Sequence, residues 1–424
     1  MASAFTADDL DRIDARLLAT DELLATAYAG DDGSRQPVHT VYVPADRFAP
    51  ELPAQWGSAA RDAVDAAGGL AALAGRVGIA PDIADDVVPR VAAKLAEEPI
   101  EDLRLDFEDG YGDRGDEAED ADAALAAARI ADAVEAGVAP PFIGIRFKCF
   151  EAPTRRRALR TLDRFVAGLV ERGPLPDGLV LTLPKVTTVA QVEAMADAAA
   201  TLERAHGLPE GRLRFEVQVE TPQLVLGADG RSPVAQLALA APGRISGLHY
   251  GTYDYSASLA IAARYQSMEH PAADLAKGVM QLAAAGTGIR LSDGSTNILP
   301  IGDRSEAAWA LHARLVRRSL ERGYYQGWDL HANQLPTRYL ATFAFYREAY
   351  PEASARLRAY LERTPGAVLD EPATARALAD VVLRGVACGA ITPDEVAADI
   401  GIDRPRLVGL AHPRLADRTR PDPT

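Results

Sequence analysis

A (β/α)8 barrel followed by a helical C-terminal extension is the architecture this sequence predicts, and three observations carry it. Short β-branched or apolar runs recur along residues 39–333 with alanine-rich helical stretches between them. Strands that alternate with helices imply right-handed βαβ units and a parallel sheet. The runs number eight, which closes naturally into a barrel, and no G-x-G-x-x-G follows the first of them to favour an open dinucleotide-binding sheet.

The elements follow in order. Residues 7–28 read as a helix, with Leu10, Ile13, Leu17, Leu18 and Leu24 near helical spacing and Thr6 with Asp9 offering a cap. After the polar loop GDDGSRQ comes the β-like run HTVYVPA (39–45). Residues 55–98 have a helical, alanine-rich pattern interrupted at Gly68-Gly69 and Pro81. The remaining strand runs are LRLDFED (103–109), FIGIRF (142–147), GLVLTLPK (178–185), LRFEVQVE (213–220), ISGLHYGTYD (245–254), a run within 288–301, and QGWDLHAN (326–333). Helices over 116–136, 154–172, 188–205, 271–285 and 305–322 connect them. Residues 337–410 break the alternation and are helical, and HPRLADRTRPDPT is expected to be disordered. This divides the chain into an N-terminal helical segment (1–36), a barrel (37–336), a helical extension (337–411) and a tail (412–424).

Charge narrows the partners. The 424 residues carry 45 Lys and Arg against 61 Asp and Glu, a formal charge of −16 that repels phosphate backbones and argues against nucleic acid. The densest basic run, Arg155-Arg156-Arg157 with Arg160 and Arg164, reads as a solvated helix face. Two cysteines, Cys149 and Cys388, exclude a disulfide scaffold and suit a reducing compartment. The N-terminus lacks a basic and apolar leader, and no run of about 18 apolar residues could span a membrane. The expectation is a cytoplasmic protein.

In a parallel barrel chemistry gathers at the C-terminal ends of the strands. Those ends carry Asp106, Glu108 and Asp109; Arg146 and Lys148; Lys185; Glu220; Asp254; and His331, Asn333 and Gln334. Few carboxylates with room for water and substrate oxygens is what Mg²⁺ wants, because it dehydrates reluctantly. Glu220 and Asp254 lie 34 positions apart (254 − 220), about one β/α unit, so neighbouring strands can hold them side by side. Each alone could equally cap the following helix. Arg146 ends an apolar strand, where its fork could clamp a substrate carboxylate or pair with Glu108 or Asp109. An interior salt bridge and a substrate contact are both open to Lys185; neighbouring carboxylates disfavour a Schiff base. His249 and His331 read as hydrogen-bonding structural residues rather than metal ligands.

Together, and in this order, RLDFEDGYG, GIRF, LTLPKV, VQVETPQ, HYGTYDYS, GYYQGWDLHANQLP and AVLDEPATARALADVV resemble the citrate lyase β-subunit and HpcH/HpaI aldolase family over residues 39–388. That family lies within the pyruvate- and phosphoenolpyruvate-handling barrels, and GTYDYSASL is also similar to the aspartate strand of malate synthases. The resemblance implies that Glu220 and Asp254 hold Mg²⁺ and that Arg146 clamps a carboxylate. It also implies that Asp370 reaches an active site from a neighbouring subunit of a homo-oligomer, a trimer or a multiple of three; otherwise Asp370 caps the helix beginning near Pro372.

The expected activity is Mg²⁺-dependent carbon–carbon cleavage of a small hydroxy- or oxo-carboxylate, or of its coenzyme A thioester. Arg146, Lys185 and Asp106 would contact substrate. Asp370, a water oriented by Glu108 or Asp109, and His249 are candidates for the general base. Two alternatives are condensation of an acyl-CoA with glyoxylate, as in malate synthases, and a non-catalytic barrel that binds a metabolite.

Overall fold

The structure is a computed structural model that describes residues 4–362, 371–413 and 415. Its centre is a closed parallel barrel of β1 (His39–Pro44), β2 (Asp102–Asp106), β3 (Phe142–Arg146), β4 (Leu179–Leu183), β5 (Phe215–Val219), β6 (Ile245–Tyr250), β7 (Arg290–Ser292) and β8 (Gly327–Asp329). From β1 to β7 each strand pairs with its sequence neighbour, and β1 pairs with β8. A parallel bridge from Ser292 to Gln326 closes the last gap.

The expected strands are all present, but most stop earlier than their apolar runs. The residues that follow them (107–109, 184–185, 251–254) turn away to build the mouth of the barrel. Asp254 is thereby corrected from a strand end to the short helix Thr252–Ser258, because the chain leaves β6 at Gly251. The breaks at Gly68-Gly69 and Pro81 do divide the 55–98 region, giving helices Leu52–Ala66, Leu70–Arg76 and Pro81–Glu97.

Those three helices explain the C-terminal extension. Helix Leu335–Glu362 packs on Leu52–Ala66, Pro81–Glu97 and Pro372–Cys388, and the contact surfaces form an apolar core separate from that around the barrel. Val64, Val87, Val91 and Leu95 meet Tyr339, Leu340, Phe343 and Tyr346 there. Among the described residues the apolar faces after residue 337 thus find cover within the chain. The first helix, Ala7–Thr26, does carry the Thr6/Asp9 capping box, yet none of its side chains is buried. The arginine run is a solvated face, with Arg155, Arg156, Arg160 and Arg164 exposed, and Arg157 (2.6 Å) and Arg160 also pair with Asp120 of helix Asp116–Glu135. No helix among the described residues is long and apolar enough to cross a membrane.

A buried charge cluster fastens barrel to extension. Asp329, at the end of β8, accepts from His39 Nδ1 (2.8 Å), His312 Nε2 (3.0 Å) and Arg338 Nη2 (2.9 Å). All four side chains are buried.

Candidate active site

Strand alternation fills the barrel with polar groups. In β2, Leu103 and Leu105 pack outward in the core while Asp102, Arg104 and Asp106 bond to partners on other strands. Arg104 pairs with Asp102 and, at 2.9 Å, with Glu216 of β5. Glu216 also accepts from Thr182 (2.5 Å) and faces His249 Nε2 (3.0 Å). Above it, Tyr42 reaches Glu216 (3.5 Å) and accepts from Gln218 (3.3 Å), and Gln218 accepts from Arg146 Nη1 (3.5 Å). A continuous polar column therefore rises from the middle of the barrel to its C-terminal mouth.

At that mouth the register sets Asp106 directly beside Arg146. Arg146 Nε and Nη2 each donate to Asp106 at 2.7 Å. Asp106 also accepts from the amides of Glu108 (3.0 Å) and Gly110 (2.8 Å). A Cβ on Gly110 would lie 2.7 Å from the Asp106 carboxylate, so only glycine permits this approach. Burial pushes the Asp106 carboxyl up, but Arg146 and these amides outweigh it and hold it below the usual range. Both its oxygens are occupied, which corrects the expectation that Asp106 touches substrate: it orients Arg146. Asp106, rather than Asp109, is the main partner of Arg146; Glu108 stands farther off, at 3.5 Å from Nη1. The guanidinium lies over the Tyr42 ring, 4.8 Å from its centroid.

Lys185 is an ion-pair residue, its Nζ 2.8 Å from Glu108 and 2.7 Å from Asp109. Burial favours its neutral form, yet the two carboxylates prevail and favour the protonated amine, which works against a Schiff-base role. Its backbone is left-handed (φ 49°), and its amide donates to Glu220 at 2.8 Å. Such strain in a non-glycine residue gathers at functional sites.

Glu220 is buried, and burial, then the charges of Glu108 and Asp254, outweigh Arg146 and push its carboxyl up to about 8. Glu108 is raised too, by burial and by Asp109, and its Oε2 is buried without a hydrogen-bond partner. Three carboxylates crowd a site whose cations, Arg146 and Lys185, are already committed. Such a donor set fits a hard divalent cation held by Glu220 and Asp254, with water and substrate oxygens completing the shell. Among the described residues no group of three or more His, Cys, Asp or Glu is placed to hold a metal ion.

Gly251 controls this arrangement. A Cβ there would sit 2.4 Å from Glu220 Oε2. Gly251→Ala is therefore expected to displace Glu220, with turnover falling at least about tenfold and stability by about 1–3 kcal/mol, the usual range for overpacking. Steady-state kinetics and a denaturant melt would check it, and an unchanged variant would remove the steric role.

Other candidates lie elsewhere. His249 is engaged by Glu216 and by Trp328 Nε1 (3.3 Å) inside the barrel. His331 caps the turn Ala332–Gln334 by accepting from the Asn333 amide. Gln334 and Asn333 staple the 294–301 segment through the carbonyls of Thr296 and Pro300. Asp370 lies outside the described residues. Sequence reasoning passed over Tyr42, Gln218 and the Arg104–Glu216 pair. The alternation E-x-Q-x-E over 216–220 was the available signal, since it puts Glu216 and Gln218 on one face of β5 with Glu220 in the same alternation just past its end.

Fold and mouth together define a class: a (β/α)8 barrel whose carboxylates and guanidinium converge where the strands end. The chain belongs to the family described as "Domain of unknown function (DUF6986)", whose model matches residues 17–415. Its sequence is 34% identical over 110 residues to an L-malyl-CoA/β-methylmalyl-CoA lyase of Haloarcula marismortui. That match spans 26% of this chain and only 29% of the relative's length. A citrate lyase structure from Burkholderia xenovorans shares the fold at a TM-score of 0.58 and 18% identity, covering 86% of this chain and 96% of that one. A CitE structure from Mycobacterium tuberculosis, solved with magnesium, acetoacetate and coenzyme A, aligns at a TM-score of 0.48 and 18% identity over 84% and 99% of the two chains.

Proposed function

We propose that this protein is a Mg²⁺-dependent carbon–carbon lyase acting on a short hydroxyacyl-CoA thioester or the related hydroxy-carboxylate. The observation that carries this reading is the buried Glu220, beside Asp254 and Arg146, in a mouth with more carboxylates than free cations. The partial sequence likeness to a malyl-CoA lyase supports the substrate class.

Arg146, fixed by Asp106, offers its Nη1 edge to the substrate carboxylate, with the Tyr42 ring beneath the guanidinium. Mg²⁺ held by Glu220 and Asp254 would supply the Lewis acidity that steadies the carbonyl product and the enolate as they separate. Cleaving the bond beside a carbinol requires removal of the hydroxyl proton, and Glu108 Oε2 is a buried oxygen at the mouth that makes no hydrogen bond, its nearest cation being Arg146 Nη1 at 3.5 Å. Lys185 keeps Glu108 and Asp109 in place. Asp370 stands as a second candidate base, delivered from a neighbouring subunit. Mixing inactive Asp370→Ala with inactive Glu220→Gln under subunit exchange would restore part of the activity if sites are shared; a fully active Asp370→Ala would end that idea.

The test is incubation with L-malyl-CoA, β-methylmalyl-CoA and free hydroxy acids, with and without Mg²⁺, reading glyoxylate, pyruvate and oxaloacetate. Mg²⁺-dependent product supports the lyase; intact substrate with retained Mg²⁺ binding would favour a binding barrel. Arg146→Lys is expected to damage kcat/KM nearly as much as Arg146→Ala, because a point charge cannot keep the two bonds to Asp106 while facing a carboxylate. A lysine variant with normal kinetics would argue for a purely structural ion pair.

A further inference from the structure

The opposite mouth, at the N-terminal ends of the strands, opens on a cavity of about 250 Å³. Its polar ceiling is the Asp102–Arg104–Glu216 cluster, whose charges satisfy one another. Its walls are basic, in a chain of net charge −16. Arg212 and Arg214 stand just before β5, Arg290 opens β7, and Arg35 lies on the segment that leads into β1.

The partners already present use up only part of that charge. Arg35 pairs with Glu98 and with Glu101 (2.7 Å), although its Nε is buried without a partner. Arg290 donates to the carbonyls of Arg35 (2.6 Å) and Ser34 (2.9 Å) and to the Ser34 hydroxyl (2.5 Å); its nearest carboxylate is Asp32 at 3.7 Å. Arg212 donates to the carbonyls of Leu175 (3.0 Å) and Pro176 (2.5 Å). The exposed Arg214 guanidinium makes no hydrogen bond or ion pair among the described residues, and Asp32 attracts it only at longer range. Burial lowers the Arg290 pKa; Asp31 and Asp32 oppose this, while Arg214 and Arg384 add to it. At the same cavity the Ser246 Oγ is buried without a partner, and Asp177 is exposed at the rim.

Arg214, Arg290 and the free Ser246 hydroxyl line one cavity, and the single carboxylate that attracts both guanidinium groups, Asp32, stands 3.7 Å from Arg290 without a close ion pair to either. The planar forks of arginine match phosphate and carboxylate oxygens. We propose that the N-terminal mouth is a second ligand site, separate from the mouth that holds Glu220, and that it takes a compact polyanion on Arg214, Arg290 and Ser246. The cavity is below the range of drug-sized pockets, which limits the ligand to a small phosphorylated or polycarboxylic molecule.

Calorimetric titration in metal-free buffer with two probes, pyrophosphate and citrate, tests this. At least one should bind saturably to the wild-type protein. Arg146→Ala, which disables the other mouth, should leave that binding unchanged. Arg214→Ala should weaken it about tenfold or more, the range for losing a charge-assisted hydrogen bond, and Arg214→Lys should recover part of the loss. Pyrophosphate alone binding would identify a phosphate ligand, citrate alone a carboxylate. Because Arg214 is exposed, its loss should leave the melting temperature of the free protein unchanged. No saturable binding at millimolar probe, or binding lost in Arg146→Ala but kept in Arg214→Ala, would overturn the proposal.

Discussion

Glu220→Gln and Asp254→Asn are each expected to abolish turnover while leaving the barrel folded. Either change removes one of two anionic ligands from a site whose charge calls for a cation. Losing a divalent ligand costs several kcal/mol of transition-state stabilisation, or about 10³-fold and more in kcat/KM. The fold should survive because glutamine preserves the shape of Glu220 and still accepts from the Lys185 amide. In metal-free protein the Glu220→Gln melt should even move up at neutral pH. Burial and like charge raise the folded carboxyl to about 8, so ionising it disfavours the folded state. Mg²⁺ titration of activity and of melting temperature would separate the two effects. Near-normal turnover at modest Mg²⁺ in either variant would end the metal assignment.

The largest stability effect is expected at Asp329. Asp329→Ala strands the buried Arg338 and removes the acceptor that His39 and His312 share, which should cost about 3–5 kcal/mol. Its pH dependence follows from two shifts of the same sign. Burial pushes the Asp329 carboxyl up, but Arg338 and the two histidine hydrogen bonds outweigh it and hold it well below the ordinary carboxylate value. The unfolded chain then takes up that proton first, and stability is lost as pH falls through about 4. His312 is lowered by burial despite Asp329, so the unfolded chain also protonates it first and stability begins to fall below about pH 6.5. Urea midpoints from pH 8 down to pH 4 should decline throughout, and the Asp329→Asn curve should be flatter at the acidic end. A wild-type profile that stays level across this range would contradict both attributions.

The barrel was legible because its outward-facing strand residues, such as Leu103, Leu105, Val217 and Val219, sit between long amphipathic helices and produce apolar runs at regular intervals. The residues of the mouth were legible because polar groups ended those runs. Three things were not. Asp254 was counted into a strand because a helix of seven residues after Gly251 leaves too little periodicity to read. The clamp between Asp106 and Arg146 depends on strand register, which one sequence does not specify. The cover for the C-terminal helices comes from residues about 240 to 290 positions away, where Val91 and Leu95 share a core with Tyr339 and Leu383, and no local pattern signals such a pairing.

The polar column also constrains how this chain can change over generations. An oily barrel interior tolerates one altered side chain at a time, since a neighbour can shift by a methyl group and the shape recovers. Here each interior member answers to two or more others: Glu216 alone serves Arg104, Thr182 and His249. Replacing Arg104 by methionine would leave Asp102 and Glu216 as neighbouring anions without the guanidinium they share, a worse state than either the starting set or a fully apolar one. The viable routes are therefore concerted, with Asp102, Arg104 and Glu216 exchanged together or kept together. Among diverging copies of this chain those three positions should vary as a block, in contrast to the outward leucines and valines, which are free to drift singly.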